Sequence, residues 1–279
     1  MPEIAEVETV RNTLKLRMLK KKIKDIKIYY QPIVMNELRE LKENLIGKQF
    51  IDIKRIGKWL LFETDTHYLL SHLRMEGKYF LKEIGDPLEK HEHVEIIFDD
   101  LTMRYHDTRK FGRMYLVPKE KLYDFEGIKK QGIEPIDDKL TKEYLFEKFH
   151  KRNLPIKTLL LDQTIISGLG NIYADEVLFL SQIHPLKKGA EITLEECERI
   201  KKSSKIVIED AIQMGGTTIR SYTSSLGVTG LFQQRLMVHK REKEPCKNCQ
   251  TIIKRIKVGG RSTYYCEKCQ QQRSAENVK

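Results

Sequence analysis

The sequence predicts an α+β protein in three parts: a β-rich N-terminal domain opening with a helix, a helical middle domain, and a C-terminal β-hairpin held by cysteines. Three observations carry this. The apolar period changes from helical spacing to alternation early in the chain and returns to helical spacing past residue 139. The polar stretch from Gln131-Gly132 to Asp137-Asp138, with Pro135 inside it, reads as a hinge. Two Cys-x-x-Cys pairs stand near the end. The expected domains are 1–134, 139–236 and 240–279.

Val7, Val10, Leu14 and Met18 recur at helical spacing and predict a first helix of about four turns. Alternation then takes over at Ile26 and Ile28 and at Ile51 and Ile53, and Leu60 through Phe62 continues a strand pattern. Further strands are expected at Tyr68-Leu69-Leu70, His93 to Phe98 and Met103 to Tyr105, with Asp99-Asp100 turning between the last two. Beyond the hinge, Thr141 can cap a helix bearing Leu145 and Phe149, and Pro155 suits the first turn of another running to about Asp162. Ser167-Gly168-Leu169-Gly170 forces a tight turn that delivers Asn171 to the start of the next helix, a helix-turn-helix unit. Thr193 and Glu196 form a capping box for a long helix ending at Gly215-Gly216.

At 279 residues the chain can bury a proper core. It has no apolar run of the ~18 residues a membrane span needs and no apolar N-terminal leader, so a cytoplasmic protein is expected. Lys plus Arg number 51 against 40 Asp plus Glu, a net charge of +11, which points to a polyanion such as nucleic acid. From Lys240 to Lys279 there are eleven basic and four acidic residues, a net of +7, so that end is the expected phosphate-facing part. A solvated basic tail is the alternative.

Cys246 and Cys249 are two residues apart, Cys266 and Cys269 likewise, with sixteen between the pairs. Four thiolates at this spacing suit one tetrahedral zinc ion in a structural role, because no coordination position is left open. Disulfides are the alternative, which a reducing cytoplasm disfavours. Cys197 falls in a helical pattern and reads as an ordinary half-buried thiol.

Met1-Pro2-Glu3-Ile4-Ala5-Glu6-Val7-Glu8 opens the chain. Removal of Met1 would leave Pro2 with a secondary amine whose pKa near ~8 keeps part of it unprotonated and nucleophilic at neutral pH. Glu3 beside it is a candidate general acid or base. Read alone, the same residues simply start a helix. A helix beginning at Asn171 offers unpaired amides to an anion, with Lys157 a short way upstream, although an ordinary helix cap explains Asn171 as well. Arg261 at the hairpin tip supplies a bidentate fork for phosphate, or is an exposed turn arginine.

Together these pieces resemble the bacterial formamidopyrimidine-DNA glycosylases over essentially the whole chain. The likeness rests on Pro2, Glu3, Glu6, Val7 and Glu8; on Gly57-Lys58; and on Ser71-His72-Leu73-Arg74-Met75-Glu76-Gly77-Lys78. It continues through Asp107-Thr108-Arg109-Lys110-Phe111-Gly112, Gly168-Leu169-Gly170-Asn171-Ile172-Tyr173 and the four-cysteine finger with Gly260-Arg261. The resemblance implies a helix-two-turns-helix enzyme of base excision repair, working at the bacterial nucleoid; a monomer is expected. Such an enzyme removes oxidised purines, 8-oxoguanine and formamidopyrimidines, from double-stranded DNA and then acts as a lyase through β,δ-elimination.

By the same resemblance Pro2 is the nucleophile at sugar C1′ and Glu3 the acid/base partner, with Glu6 supporting them. Lys58 reaches the reacting nucleotide, and Arg261 contacts phosphate and assists the second elimination. His91, Lys157 and Asn171 match DNA contacts, while Met75, Arg109 and Phe111 match the trio that fills the void left by the extruded base. As isolated residues, Met75 and Phe111 would read as core. Two departures stand out: Ala5 where the family has proline, and Met237-Val238-His239-Lys240 where it has Tyr-Val-Tyr-Gly. The endonuclease VIII group, which acts on oxidised pyrimidines, shares Pro2, Glu3 and the finger. A non-catalytic zinc-finger DNA-binding protein would share only the basic end.

Overall fold

The computed structural model describes residues 1–217 and 230–271. Segment 218–229, within the second expected domain, and residues 272–279, which close the third, lie outside the described residues. Contacts divide the chain into two units. The first holds Met1–Lys130 with residues 214–217 and 230–231; the second holds Gln131–Gln213 and the described residues from Phe232 on. The expected hinge begins at this division. No helix among the described residues is long and apolar enough to cross a membrane.

In the first unit, helix α1 (Ile4–Met18) precedes two antiparallel four-stranded sheets. One sheet runs in the order β1 (Asp25–Ile28), β6 (Glu92–Ile97), β7 (Thr102–His106), β5 (Lys78–Lys82). The other runs β2 (Asp52–Ile56), β3 (Trp59–Glu63), β4 (His67–His72), β8 (Arg113–Pro118). Val10, Leu14 and Met18 of α1 and Leu41 and Leu45 of α2 (Leu38–Leu45) share one core with Ile26, Phe62, Tyr79 and Ile96 from both sheets. Ala5 is fully buried in the first turn of α1, so the departure from proline leaves the helix start in place.

β3 is buried at every position because both its faces are covered. Leu60 and Phe62 enter the main core, whereas Trp59 and Leu61 meet Leu122, Phe125 and Ile128 from the segment around the short helix α3 (Glu126–Lys129). Complete double-sided burial removes the alternation that marks a half-solvated strand.

The second unit contains α4 (Lys142–His150), α5 (Ile156–Leu160), α6 (Asn171–Leu180) and α7 (Leu194–Gln213), followed by the hairpin β9 (Lys254–Val258) and β10 (Arg261–Tyr265). Thr141 caps α4 as expected, accepting the Tyr144 N–H at 3.1 Å. The Thr193–Glu196 capping box is complete, with bonds of 2.9 and 3.2 Å. Pro155 sits one residue before α5, which stops at Leu160, short of the expected Asp162. The Asp162 side chain instead accepts the Thr164 N–H at 2.9 Å, turning the chain. Cys197 is fully buried rather than half-buried, and burial pushes its thiol up to about 12.

Candidate active site and nucleic-acid interface

Of the catalytic candidates, Pro2, Glu3, Glu6 and Lys58 lie in the first unit, while Arg261 and the metal ligands lie in the second. Pro2 is half-buried at the head of α1, and Glu3, the residue that starts the helix, is buried behind it. Glu6 Oε2 accepts the Glu3 N–H at 2.9 Å, while Oε1 accepts the Thr217 N–H at 2.8 Å and its hydroxyl at 3.1 Å. Through these three hydrogen bonds Glu6 brackets the chain start to Thr217, which follows α7. Pro2 therefore continues from fixed backbone and not from a fraying end.

Lys58 occupies the two-residue turn between β2 and β3. It is buried, only 6% exposed, where a lone turn lysine would ordinarily be solvated. Close to it, burial together with the positive charges of Arg74 and Lys58 pushes the His72 imidazole down to about 3. His72 Nδ1 accepts the Arg74 N–H at 3.0 Å, consistent with a neutral ring.

Met75 lies on the turn between β4 and β5, and Arg109 and Phe111 on the turn between β7 and β8. Phe111 is 47% exposed, so the reading of an isolated apolar residue as core fails here. The Arg109 guanidinium stands 4.7 Å from the Phe111 ring centroid, a cation–π pair projecting from the surface. Asp107, fully buried, holds this turn by accepting the Arg109 and Gly112 N–H groups at 3.0 and 2.8 Å. A side-chain carbon on Gly77 or Gly112 would overlap the Tyr105 hydroxyl, so both turns close on one tyrosine. Thr108 also bonds Glu76 across them. His91, at φ +72°, lies against the rings of His93 and His106.

In the second unit, Gln163 shapes the turn before α6. Its amide donates to Leu161 O and Leu169 O at 3.0 and 2.8 Å, and its oxygen accepts the Gly168 N–H at 3.0 Å. Asn171 then starts α6, with Nδ2 donating to Ser262 O at 2.8 Å, next to the exposed Arg261 of the finger. Lys157 is placed differently from a solvent-facing phosphate ligand: it is fully buried, with Nζ on Asp175 Oδ1 at 2.6 Å and Asn171 O at 2.8 Å. Asp175 Oδ2 also pairs with His239 Nδ1 at 2.6 Å. Burial pushes Glu176 up, while its carboxylate accepts the Met237, Val238 and His239 N–H groups at 2.8, 3.1 and 2.9 Å. The departure at Met237-Val238-His239-Lys240 is thus built into buried hydrogen bonds. Lys240 takes the left-handed φ of +60° where the resembling family has glycine.

Sequence reasoning gave no role to Asp175, Glu176, Asp107 or Gln163. For the first two a signal existed: adjacent carboxylates inside the otherwise apolar run from Ile172 to Leu180.

The four cysteine sulfurs lie within 4.8 Å of one another. Cys246 to Cys269, Cys249 to Cys266 and Cys249 to Cys269 are 3.9, 3.4 and 3.5 Å apart. Zn–S bonds of about 2.3 Å in a tetrahedron require sulfur edges of about 3.8 Å, so the set fits one zinc ion. These separations also rule out disulfides among the pairs. The Gln270 side chain secures the finger, accepting the Cys266 N–H and donating to Ile183 O, both at 3.0 Å.

Family models match most of the chain. They are the formamidopyrimidine-DNA glycosylase N-terminal domain at residues 1–114, the H2TH domain of the same enzymes at 131–223, and the zinc finger found in FPG and IleRS at 243–272. Formamidopyrimidine-DNA glycosylases of Bacillus anthracis and Ligilactobacillus salivarius are 44% and 45% identical to it, the alignments covering 97% of this chain and 99% of each relative. Lactococcus lactis Fpg, solved with DNA containing an abasic site, is similar at a TM-score of 0.92 and 41% identity, covering 97% of this chain and 100% of that one. MutM in complex with DNA containing carbocyclic 8-oxo-G is similar at 0.91 and 40%, with the same coverage.

Proposed function

Because this chain belongs to the formamidopyrimidine-DNA glycosylase family, we propose that it excises 8-oxoguanine and formamidopyrimidines from duplex DNA and cleaves the resulting abasic strand. The observation that carries this reading is the head of α1, where Pro2 follows Met1 and precedes two buried carboxylates, one of them bracketing the chain start. Removal of Met1 frees the Pro2 nitrogen. Its lone pair attacks sugar C1′, the bond from C1′ to the base breaks, and the base leaves with a proton. Glu3 protonates the ring oxygen as the sugar opens to an iminium at C1′.

The iminium draws electrons from C2′, whose proton is lost as the 3′ phosphate departs. A second elimination expels the 5′ phosphate, and water then hydrolyses the adduct to return Pro2. Lys58 acts on the reacting nucleotide. The helix start at Asn171 and the guanidinium of Arg261 bind the phosphates that flank it. Lys157 contributes through Asn171, whose carbonyl it holds. His91 makes a backbone contact, and Met75, Arg109 and Phe111 enter the stack in place of the extruded base. Zinc holds the finger in shape. The protein acts as a monomer in the cytoplasm.

The test is a duplex carrying 8-oxoguanine opposite cytosine. Strand cleavage, with borohydride trapping a covalent adduct that mass spectrometry maps to Pro2, is the expected result. An adduct mainly on Lys58 would overturn the assignment of the nucleophile.

A further inference from the structure

Within the first unit a part-buried ion pair ties α1 to the turn that carries Lys58. Glu8 Oε2 accepts Arg55 Nε at 2.8 Å, and Arg55 Nη1 donates to Gly57 O at 2.9 Å. The other oxygen of Glu8 accepts Arg11 Nε and Nη2 at 3.0 and 2.5 Å, so two guanidiniums hold this carboxylate. The Arg55 side chain is 6% exposed, on the same side of β2 as the core residue Ile53. A charged pair in that place contributes little net stability, since apolar residues of similar volume commonly serve as well or better. Its geometry offers another reason for it.

Ile56 pairs with Trp59 across a turn whose two central residues are Gly57 and Lys58. Gly57 has φ +56° and Lys58 is not in the positive-φ region, the pattern of a turn with glycine in the first central position. The alternative two-residue turn rotates the peptide between them and forces the second residue into the left-handed region, which is unfavourable for lysine. The carbonyl of that peptide is the one Arg55 holds.

We propose that Arg55, held in place by Glu8, is a positioning residue that fixes the Gly57–Lys58 peptide plane and so aims Lys58 at the nucleotide attacked by Pro2. The relay begins on the helix whose first turn follows Pro2, so the amine and the ammonium share one frame. This inference rests on the excision activity proposed above and names how one of its residues is oriented.

The test measures kcat and KM for cleavage of the 8-oxoguanine duplex by wild type, R55K, E8Q, K58M and the double variant R55K/K58M. R55K keeps a charge for Glu8 but lacks the fork needed to bond Gly57 O at the same time. It is expected to lower kcat on the order of 10- to 100-fold, the scale of a small misplacement of a reacting group, while leaving KM unchanged. In the K58M background R55K should add no further loss, because a residue acting through Lys58 has nothing left to aim. A wild-type kcat in R55K, or losses that multiply in the double variant, would refute the relay. Should R55K fail to fold, E8Q carries the same comparison, since a neutral amide lacks the charge that holds the Arg55 guanidinium in place. Wild type without cleavage removes the excision reading and the relay with it; wild-type cleavage with an unimpaired R55K removes the relay alone.

Discussion

Replacing Lys157 with methionine is expected to destabilise the second unit severely while leaving the salt dependence of DNA binding untouched. Lys157 and Asp175 are both 0% exposed at the side chain and 2.6 Å apart, so removing the ammonium strands a carboxylate in the interior. Breaking such a pair costs about 3–5 kcal/mol. The hydrogen bond to Asn171 O is lost as well, a further contribution of about 1 kcal/mol. His239 on the other oxygen of Asp175 can offset part of this, which favours the lower end of the range. Denaturant unfolding followed by circular dichroism would read the loss, and K157M/D175N should recover part of it. A lysine that neutralised a DNA phosphate directly would behave otherwise. Its removal would reduce the slope of log K against log salt by about 0.9 with little effect on stability. A stable K157M protein with that reduced slope would refute the buried role.

Zinc removal by a chelator should unfold residues around β9 and β10, because four thiolates without metal have no compensating charge and the segment is too short for its own core. Lesion-DNA binding should fall while the sheets of the first unit keep their circular dichroism; unchanged binding after complete metal loss would exclude the finger as a contact. Arg109→Ala should slow excision and flatten the preference for cytosine over adenine opposite the lesion. An unpaired cytosine presents two acceptors to a guanidinium, a match of roughly 1–3 kcal/mol by analogy with groove readout; a retained preference would assign that readout elsewhere. Acid should weaken the first unit through His72, which the fold keeps neutral down to about pH 3. The unfolded chain binds its proton near pH 6.5, so the unfolded state holds more protons between these values and stability falls as pH falls. The loss approaches about 1.4 kcal/mol per pH unit. His72→Gln should shrink the difference in unfolding free energy between pH 7 and pH 5, and an undiminished difference would count against this source.

Periodicity made most of the fold legible, since α1, β6 and β7 each show one apolar face; at β2 only Ile53 enters the core, and Ile51 lies exposed ahead of the strand. It failed to mark β5, where Tyr79 alone is fully buried, and β8, whose run Met114 to Val117 faces apolar neighbours on both sides. The site was legible where chemistry depends on local spacing, as with the cysteines and the Thr193–Glu196 cap. It was not legible where a distant partner decides a side chain's fate. Nothing near Lys157 announces Asp175, so a basic residue before a helix start read as a phosphate ligand. Phe111 shows the converse: an apolar residue beside a strand looks like core until Asp107 and Tyr105 are seen to turn its loop outward.

Because the turn bearing Met75 and the turn bearing Arg109 and Phe111 both close on Tyr105, they cannot drift apart without opening space at that hydroxyl. Immobilising a flexible side chain on binding costs about 0.5–1.5 kcal/mol. Here Asp107 already holds the backbone of the turn bearing Arg109 and Phe111, and Arg109 rests against Phe111. On the role proposed for them the three side chains would enter as one wedge, with the free energy of insertion going into parting stacked bases and little spent on folding loops. A rigid wedge senses how easily a base step opens, which lets intact duplex be passed over and a weakened step be entered.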